Sequence, residues 1–248
     1  MPTEANRVIS ESLRQRFRAA LSVFVLTGAG LSAESGVPTF RGGGKETVWK
    51  GLPFSVISSA AMVESDLSAV WEWFDYRRDL LRKLSPNPAH EALARWPSRF
   101  ENFTLVTQNI DGLHEAAGSN DVIELHGNIW RARCLECEKR EDLRDKRDNA
   151  RPPICQECGG AMRPDVVLFG EMLPPGVFEE ASVRASLCDV CFVVGTSAIV
   201  YPAAALPEIA RAAGAFVVEI NPELTPLSAM CDEIIQGKAG EVLPLLEV

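Results

Sequence analysis

The sequence predicts an α/β fold, a mostly parallel sheet covered by helices on both faces, with a smaller second lobe inserted into it. Three observations carry this. Short apolar, β-branched runs recur along the chain, helical stretches separate several of them, and two segments of different composition interrupt the rhythm. Taken in order, Ile9, Leu13, Phe17 and Leu21 follow helical spacing and predict an opening helix. Residues 23–27 form an apolar run that stops at Gly28, the pattern of a buried strand leading into a tight turn. Runs at 103–107, 122–125, 191–194 and 216–220 repeat that pattern, and 178–187 and 203–213 read as helices. The first interruption, 42–84, is glycine-rich and then aromatic around Trp71, Trp73 and Phe74. The second, 131–162, is dense in charge and cysteine. Together they are expected to form the small lobe, which leaves 1–41, 85–130 and 163–248 for the sheet domain.

Composition bounds the function. A net charge of −9 without a long basic block argues against a direct grip on nucleic acid. The first twenty residues carry Glu4, Arg7, Glu11, Arg14, Arg16 and Arg18 and no apolar run, which speaks against a secretory signal. The most apolar stretch, 190–206, is broken by Gly195, Thr196, Ser197 and Pro202, so no membrane span is expected. A cytoplasmic location follows by default.

Six of the seven cysteines fall in three C-x-x-C pairs. Cys134-x-x-Cys137 and Cys155-x-x-Cys158 each present two thiolates to one ion, and together they complete a tetrahedral shell for one zinc. Four protein ligands leave no open position, so the zinc is expected to be structural and to stabilise a segment too poor in apolar residues to fold alone. Eight Lys or Arg against seven Asp or Glu between Arg131 and Met162 offer little attraction for phosphate. Cys188 and Cys191, the third pair, lead into an apolar run and read as core cysteines.

Gly28-Ala29-Gly30-Leu31-Ser32-Ala33 fits G-x-G-x-x-A after a strand, where glycines let backbone N–H groups approach a pyrophosphate. A usual dinucleotide fold also places an acidic residue about twenty positions on, at the end of a second strand. The stretch 47–53 is no strand and lacks a convincing carboxylate, so an ordinary dehydrogenase is disfavoured.

The run from Gly28 through Ala29, Gly30, Ser32, Glu34, Thr39 and Phe40 to Arg41 closely resembles the NAD-binding loop of the sirtuins. So do Thr107-Gln108-Asn109-Ile110-Asp111, His126-Gly127 before the cysteine quartet, Val166 to Glu171, Gly195-Thr196-Ser197 and Asn221-Pro222, in the family's order along nearly the whole chain. The resemblance implies a Rossmann-like domain, a zinc-bearing small lobe, and NAD consumed as co-substrate while an acyl group leaves a protein lysine for ADP-ribose. It assigns His126 as general base, with Asn109 and Asp111 closest to the chemistry and Gln108 and Ile110 on the nicotinamide half of NAD. It assigns Gly195, Thr196, Ser197, Asn221, Pro222, Glu223 and Ala239 to the cofactor as well, mainly its adenosine half. Val166, Val167, Leu168, Phe169, Gly170 and Glu171 resemble the segment that pairs with the substrate backbone as an added strand.

The closest subgroup is the bacterial class III sirtuins, which hold acidic acyl groups with a tyrosine and, three residues later, an arginine. Here those positions are Phe74 and Arg77, so the guanidinium is present and the phenol is not. Deacetylation is expected, with succinyl or other acyl groups as further substrates. Protein ADP-ribosylation and a non-catalytic NAD sensor or interaction module are the competing readings.

Overall fold

The computed structural model describes residues 9–38, 48–144 and 152–247. The first described helix, Glu11–Ala19, is capped by Ser10, whose side chain accepts from the Leu13 N–H. Leu13 and Phe17 are buried beneath it, whereas Leu21 lies beyond the helix end and is exposed. Strand β1 (Ser22–Thr27) follows, then a short helix at Ala29–Ala33. A two-strand hairpin, β2 (Val48–Trp49) with β3 (Leu52–Pro53), precedes helices at Phe54–Ile57, Ala60–Ser65 and Leu67–Leu81. After a helix at Pro88–Arg95 come β4 (Asn102–Thr107) and β5 (Ile123–Glu124). Next are β6 (Gly127–Cys134), β7 (Arg140–Asp142) and β8 (Met162–Val166), then β9 (Val190–Val194), β10 (Phe216–Asn221) and β11 (Glu233–Gln236).

Six strands form one parallel sheet in the order β11-β10-β9-β1-β4-β5. Counted along the chain, this is a Rossmann-type doubly wound order, in which the crossovers reverse direction between β1 and β9. Residues of alternate parity along β1 enter two different cores. Val23 and Val25 pack with Phe17, Leu93, Trp96 and Phe192 on one face, and Phe24 and Leu26 with Ala181, Val193, Leu206 and Val217 on the other. Burial on both sides explains why the strands read as continuous apolar runs.

A separate antiparallel sheet, β7-β6-β8, continues directly from the parallel one. Its charged strands obscure the pattern: Arg131, Arg133 and Arg140 of β6 and β7 converge on the Asp165 carboxylate of β8. The helix Leu67–Leu81 lies against this sheet. Trp71 donates from Nε1 to the Met162 carbonyl at 2.7 Å, and Arg78 donates to the Ile129 carbonyl at 3.0 Å. Among the described residues no helix is long and apolar enough to cross a membrane.

Candidate active site

The switch between β1 and β9 leaves a crevice at the carboxyl ends of the strands, where doubly wound sheets bind ligands. The loops that follow these strands interlock at backbone distance. Gly28 donates to the Val194 carbonyl at 3.0 Å and Gly30 to the Gly195 carbonyl at 2.7 Å. A Cβ on Gly195, whose φ is +60°, would lie 2.2 Å from the Leu31 nitrogen, and one on Gly30 would lie 2.8 Å from the Gly195 Cα. Glycine is required here by contact as well as conformation.

This crevice opens into one cleft of about 1980 Å³. Gly28, Ala29, Gly30 and Glu34 line it from the first loop, and Gln108 to Asp111 from the loop after β4. Gly195, Thr196 and Ser197 follow β9, Asn221, Pro222 and Glu223 follow β10, and Ala239 closes that end. Phe74, Arg77, His126 and the whole segment from Val166 to Glu171 line the opposite part. Ser32 does not line it: it is fully buried beneath the wall. Thr39, Phe40 and Arg41 lie outside the described residues.

Side-chain hydrogen bonds tie the cleft loops together. Gln108 donates from Nε2 to Thr196 Oγ1 at 2.9 Å, and Asn221 donates to the Thr196 carbonyl at 3.3 Å. Asn109 Nδ2 donates to the Gly28 carbonyl at 2.9 Å and to Ser32 Oγ at 3.1 Å. Ser32 also meets His90 Nε2 at 3.3 Å, and the Asn87 N–H donates to His90 Nδ1 at 3.3 Å. That donor fixes the His90 proton on Nε2, so His90 donates to Ser32 and leaves the serine proton for Asp111. Burial pushes the Asp111 carboxyl up, opposed by the Leu113 N–H, Ser32 and the Arg77 guanidinium. His114 bonds to Thr27 at 3.0 Å, a partner 87 residues away rather than a local one. Burial lowers His90 to about 4 and His114 to about 3, so both imidazoles are neutral.

His126 sits just past β5. Its Nδ1 is 2.8 Å from the Gln108 carbonyl, an acceptor, so Nδ1 carries the proton and Nε2 keeps its lone pair. Burial holds its pKa below the ordinary histidine value, opposed by that hydrogen bond, and the ring is a neutral base at pH 7. The His126 carbonyl accepts from the Val167 N–H at 2.9 Å, which joins the imidazole's backbone to the 166–171 segment.

Phe74 and Arg77 share one face of the helix Leu67–Leu81. The Arg77 guanidinium carbon is 5.7 Å from the ring centroids of both Trp73 and Phe74. Burial brings its pKa down to about 10, with the Asp111 carboxylate opposing. Tyr76 points away, half exposed and stacked on Trp73. Sequence reasoning did not mark a further part of the cleft wall, Met172 to Pro175 and Ile199 to Tyr201. Its signal is exposed apolar surface: Met172 is 91% and Tyr201 66% accessible.

The cysteine quartet lies outside the cleft. Cys134 and Cys158 sulfurs are 3.5 Å apart, Cys137 and Cys155 sulfurs 3.6 Å, and all four lie within 4.8 Å of one another. Four sulfurs about 2.3 Å from one zinc would stand ~3.8 Å apart, so the set fits a tetrahedral ion. The Glu136 and Gly160 N–H groups donate to the Cys134 and Cys158 sulfurs at 3.4 Å. Cys188 and Cys191 are buried in the core beside the sheet, away from this cluster.

A doubly wound sheet with a crevice of interlocked glycine loops, a neutral histidine and a closed four-thiolate site defines a nucleotide-binding α/β enzyme with a structural metal module. The chain belongs to the Sir2 family, whose sequence model matches residues 28–202. It is 48% identical over 222 residues to NAD-dependent protein deacylase 2 of Pyrobaculum aerophilum, covering 90% of this chain and 88% of the relative. It is 46% identical over 229 residues to NAD-dependent protein deacylase 1 of Caldanaerobacter subterraneus, covering 92% and 94%. The solved structure of a Sir2 homologue–NAD complex superposes with a TM-score of 0.88 at 40% identity, covering 96% of this chain and 93% of that one. A Sir2 bound to acetylated peptide gives 0.83 at 30% identity, covering 94% and 95%.

Proposed function

We propose that this protein is an NAD-dependent protein-lysine deacylase. NAD, the co-substrate, supplies the ribose carbon that the acyl oxygen attacks as nicotinamide leaves, and the acyl group ends on ADP-ribose. The observation that carries the reading is the placement of His126. One cleft holds a neutral imidazole with a free Nε2, the paired glycine loops, and a peptide-sized apolar wall.

In this reading Gly28, Ala29, Gly30, Glu34, Gly195, Thr196, Ser197, Asn221, Pro222, Glu223 and Ala239 hold the dinucleotide, supported by the interlocked backbone of their loops. Thr39, Phe40 and Arg41 belong to the same assignment through the family resemblance. Gln108, Asn109, Ile110 and Asp111 orient the reacting ribose, and Ser32 acts from beneath by fixing Asn109 and Asp111. His126 Nε2 takes the proton of a ribose hydroxyl, a role its lowered pKa permits at neutral pH. The 166–171 segment receives the substrate main chain, and Phe74 and Arg77 face the acyl group. Zinc held by Cys134, Cys137, Cys155 and Cys158 pins the β6–β8 sheet that leads into that segment. The lobe division at 42–84 and 131–162 belongs to this reading, as does a cytoplasmic setting, where the metal-ligating thiols stay reduced.

The test is stoichiometric. An acetyl-lysine peptide should lose its acetyl group only when NAD is present, releasing one nicotinamide per acetyl lost. Mass added to a protein, with no acyl lost, would instead identify an ADP-ribosyltransferase.

A further inference from the structure

We propose that Arg163 is a positioning residue for the substrate: its buried guanidinium, locked to Glu171, fixes the 166–171 segment as a template for the peptide main chain. The proposal rests on the deacylase reading above. Arg163, on β8, is 4% exposed. Its Nη1 and Nη2 both donate to the Glu171 carboxylate, Nη2 at 3.0 Å. Nη2 also donates to the Val166 carbonyl at 3.0 Å and Nε to the Pro164 carbonyl at 3.3 Å. Glu171 in turn closes a turn over its own backbone. Its Oε2 accepts from the Leu168 N–H at 2.8 Å, its N–H donates to the Leu168 carbonyl at 3.0 Å, and Gly170 between them has φ +87°.

An ion pair with its guanidinium buried and its carboxylate only partly so is weak evidence for a stabilising role, since desolvation offsets much of the attraction. What it does supply is geometry, because a bidentate fork tolerates little displacement. The same segment is fixed at two other points. Val167 donates to the His126 carbonyl at 2.9 Å, and Phe169 exchanges bonds with Ser58 at 2.9 Å and Ala60 at 3.0 Å. Among the described residues, the Val167 carbonyl and the Gly170 N–H take no partner, and both residues line the cleft. A short edge held rigidly with open main-chain groups is what an added strand pairs with. Arg163 does not itself line the cleft and acts through Glu171 and Val166, which do.

The experiment compares the whole protein with Arg163→Met, Arg163→Lys and Glu171→Gln. Binding of a fluorescent acetyl-lysine peptide and of NAD is titrated separately, and amide hydrogen exchange is followed at residues 166–171. Arg163→Met and Glu171→Gln should each weaken peptide binding at least about 10-fold, the loss of one charged hydrogen bond, and leave NAD affinity within about twofold. Arg163→Lys should recover part of the loss, and exchange at Leu168 should accelerate in the other two. If Arg163→Met does not fold, Glu171→Gln carries the same comparison. Unchanged peptide affinity with faster exchange at Leu168 would overturn the proposal, as would equal loss of both ligands. Wild-type protein that binds NAD but no acyl-lysine peptide would overturn the deacylase reading itself.

Discussion

Replacing Arg77 by methionine should change which acyl group the enzyme removes. The guanidinium lies in the cleft beside the Phe74 and Trp73 rings, and burial lowers its pKa to about 10. The Asp111 carboxylate opposes only part of that desolvation. A succinyl carboxylate would offset part of it. A hydrogen bond to a charged group contributes about 1.5–3 kcal/mol, so Arg77→Met should lower kcat/KM on succinyl-lysine roughly 10- to 150-fold. Acetyl-lysine carries no charge to lose, so its kcat/KM should fall much less, only through loss of the guanidinium that faces Asp111. The converse change, Phe74→Tyr, places a phenol on the same helical face and should raise succinyl turnover about 5-fold, less than a full charged bond because the hydroxyl is itself desolvated. Steady-state kinetics on matched acetyl and succinyl peptides measures both ratios. An unchanged succinyl-to-acetyl ratio in both variants would refute Arg77 as the carboxylate site.

Three further predictions follow from the same geometry. His126→Gln should slow acyl transfer about 10²- to 10⁴-fold, while binding of the acetyl peptide by titration stays within about threefold. His90 and His114 are buried neutral, with pKa values of about 4 and 3 against an ordinary 6.5. Unfolding lets both take protons sooner, so stability is unaffected above pH 6.5 and falls below it by about 1.4 kcal/mol per residue per pH unit until each folded pKa is reached. Denaturant melts from pH 7 to 4 should show this slope, and His114→Gln should flatten it by about half. Removing zinc with a chelator, or Cys137→Ser, should loosen the β6–β8 sheet first. Fluorescence of Trp71, whose indole bonds to Met162 in that sheet, should change before global unfolding.

Much of the parallel sheet was legible because its central strands β1, β9 and β10 are buried on both faces and so read as unbroken apolar runs. Strand β11 was not foreseen: Glu233-Ile-Ile-Gln236 is short, half polar and at the sheet edge. The β6–β8 sheet was hidden by arginines that pair with one aspartate across strands, a contact no local pattern announces. The zinc ligands needed only their spacing. The cleft's glycines showed in the sequence, but their reason, the crossing of two loops 167 residues apart, did not. The contact of Ser32 with His90 and of Arg163 with Glu171 likewise depends on tertiary proximity. The wall from Met172 to Pro175 carried a signal only in hindsight, as apolar side chains left exposed.

The central claim is that NAD cleavage and acyl removal are one reaction. Purified protein incubated with NAD and equal amounts of acetyl- and succinyl-lysine versions of one peptide tests it most directly, with mass spectrometry following both peptides and the nucleotide products. Each acyl group lost should appear as O-acyl-ADP-ribose of matching mass, one for one. NAD consumed with both peptides intact, or acyl groups released without the matching ADP-ribose ester, would contradict it.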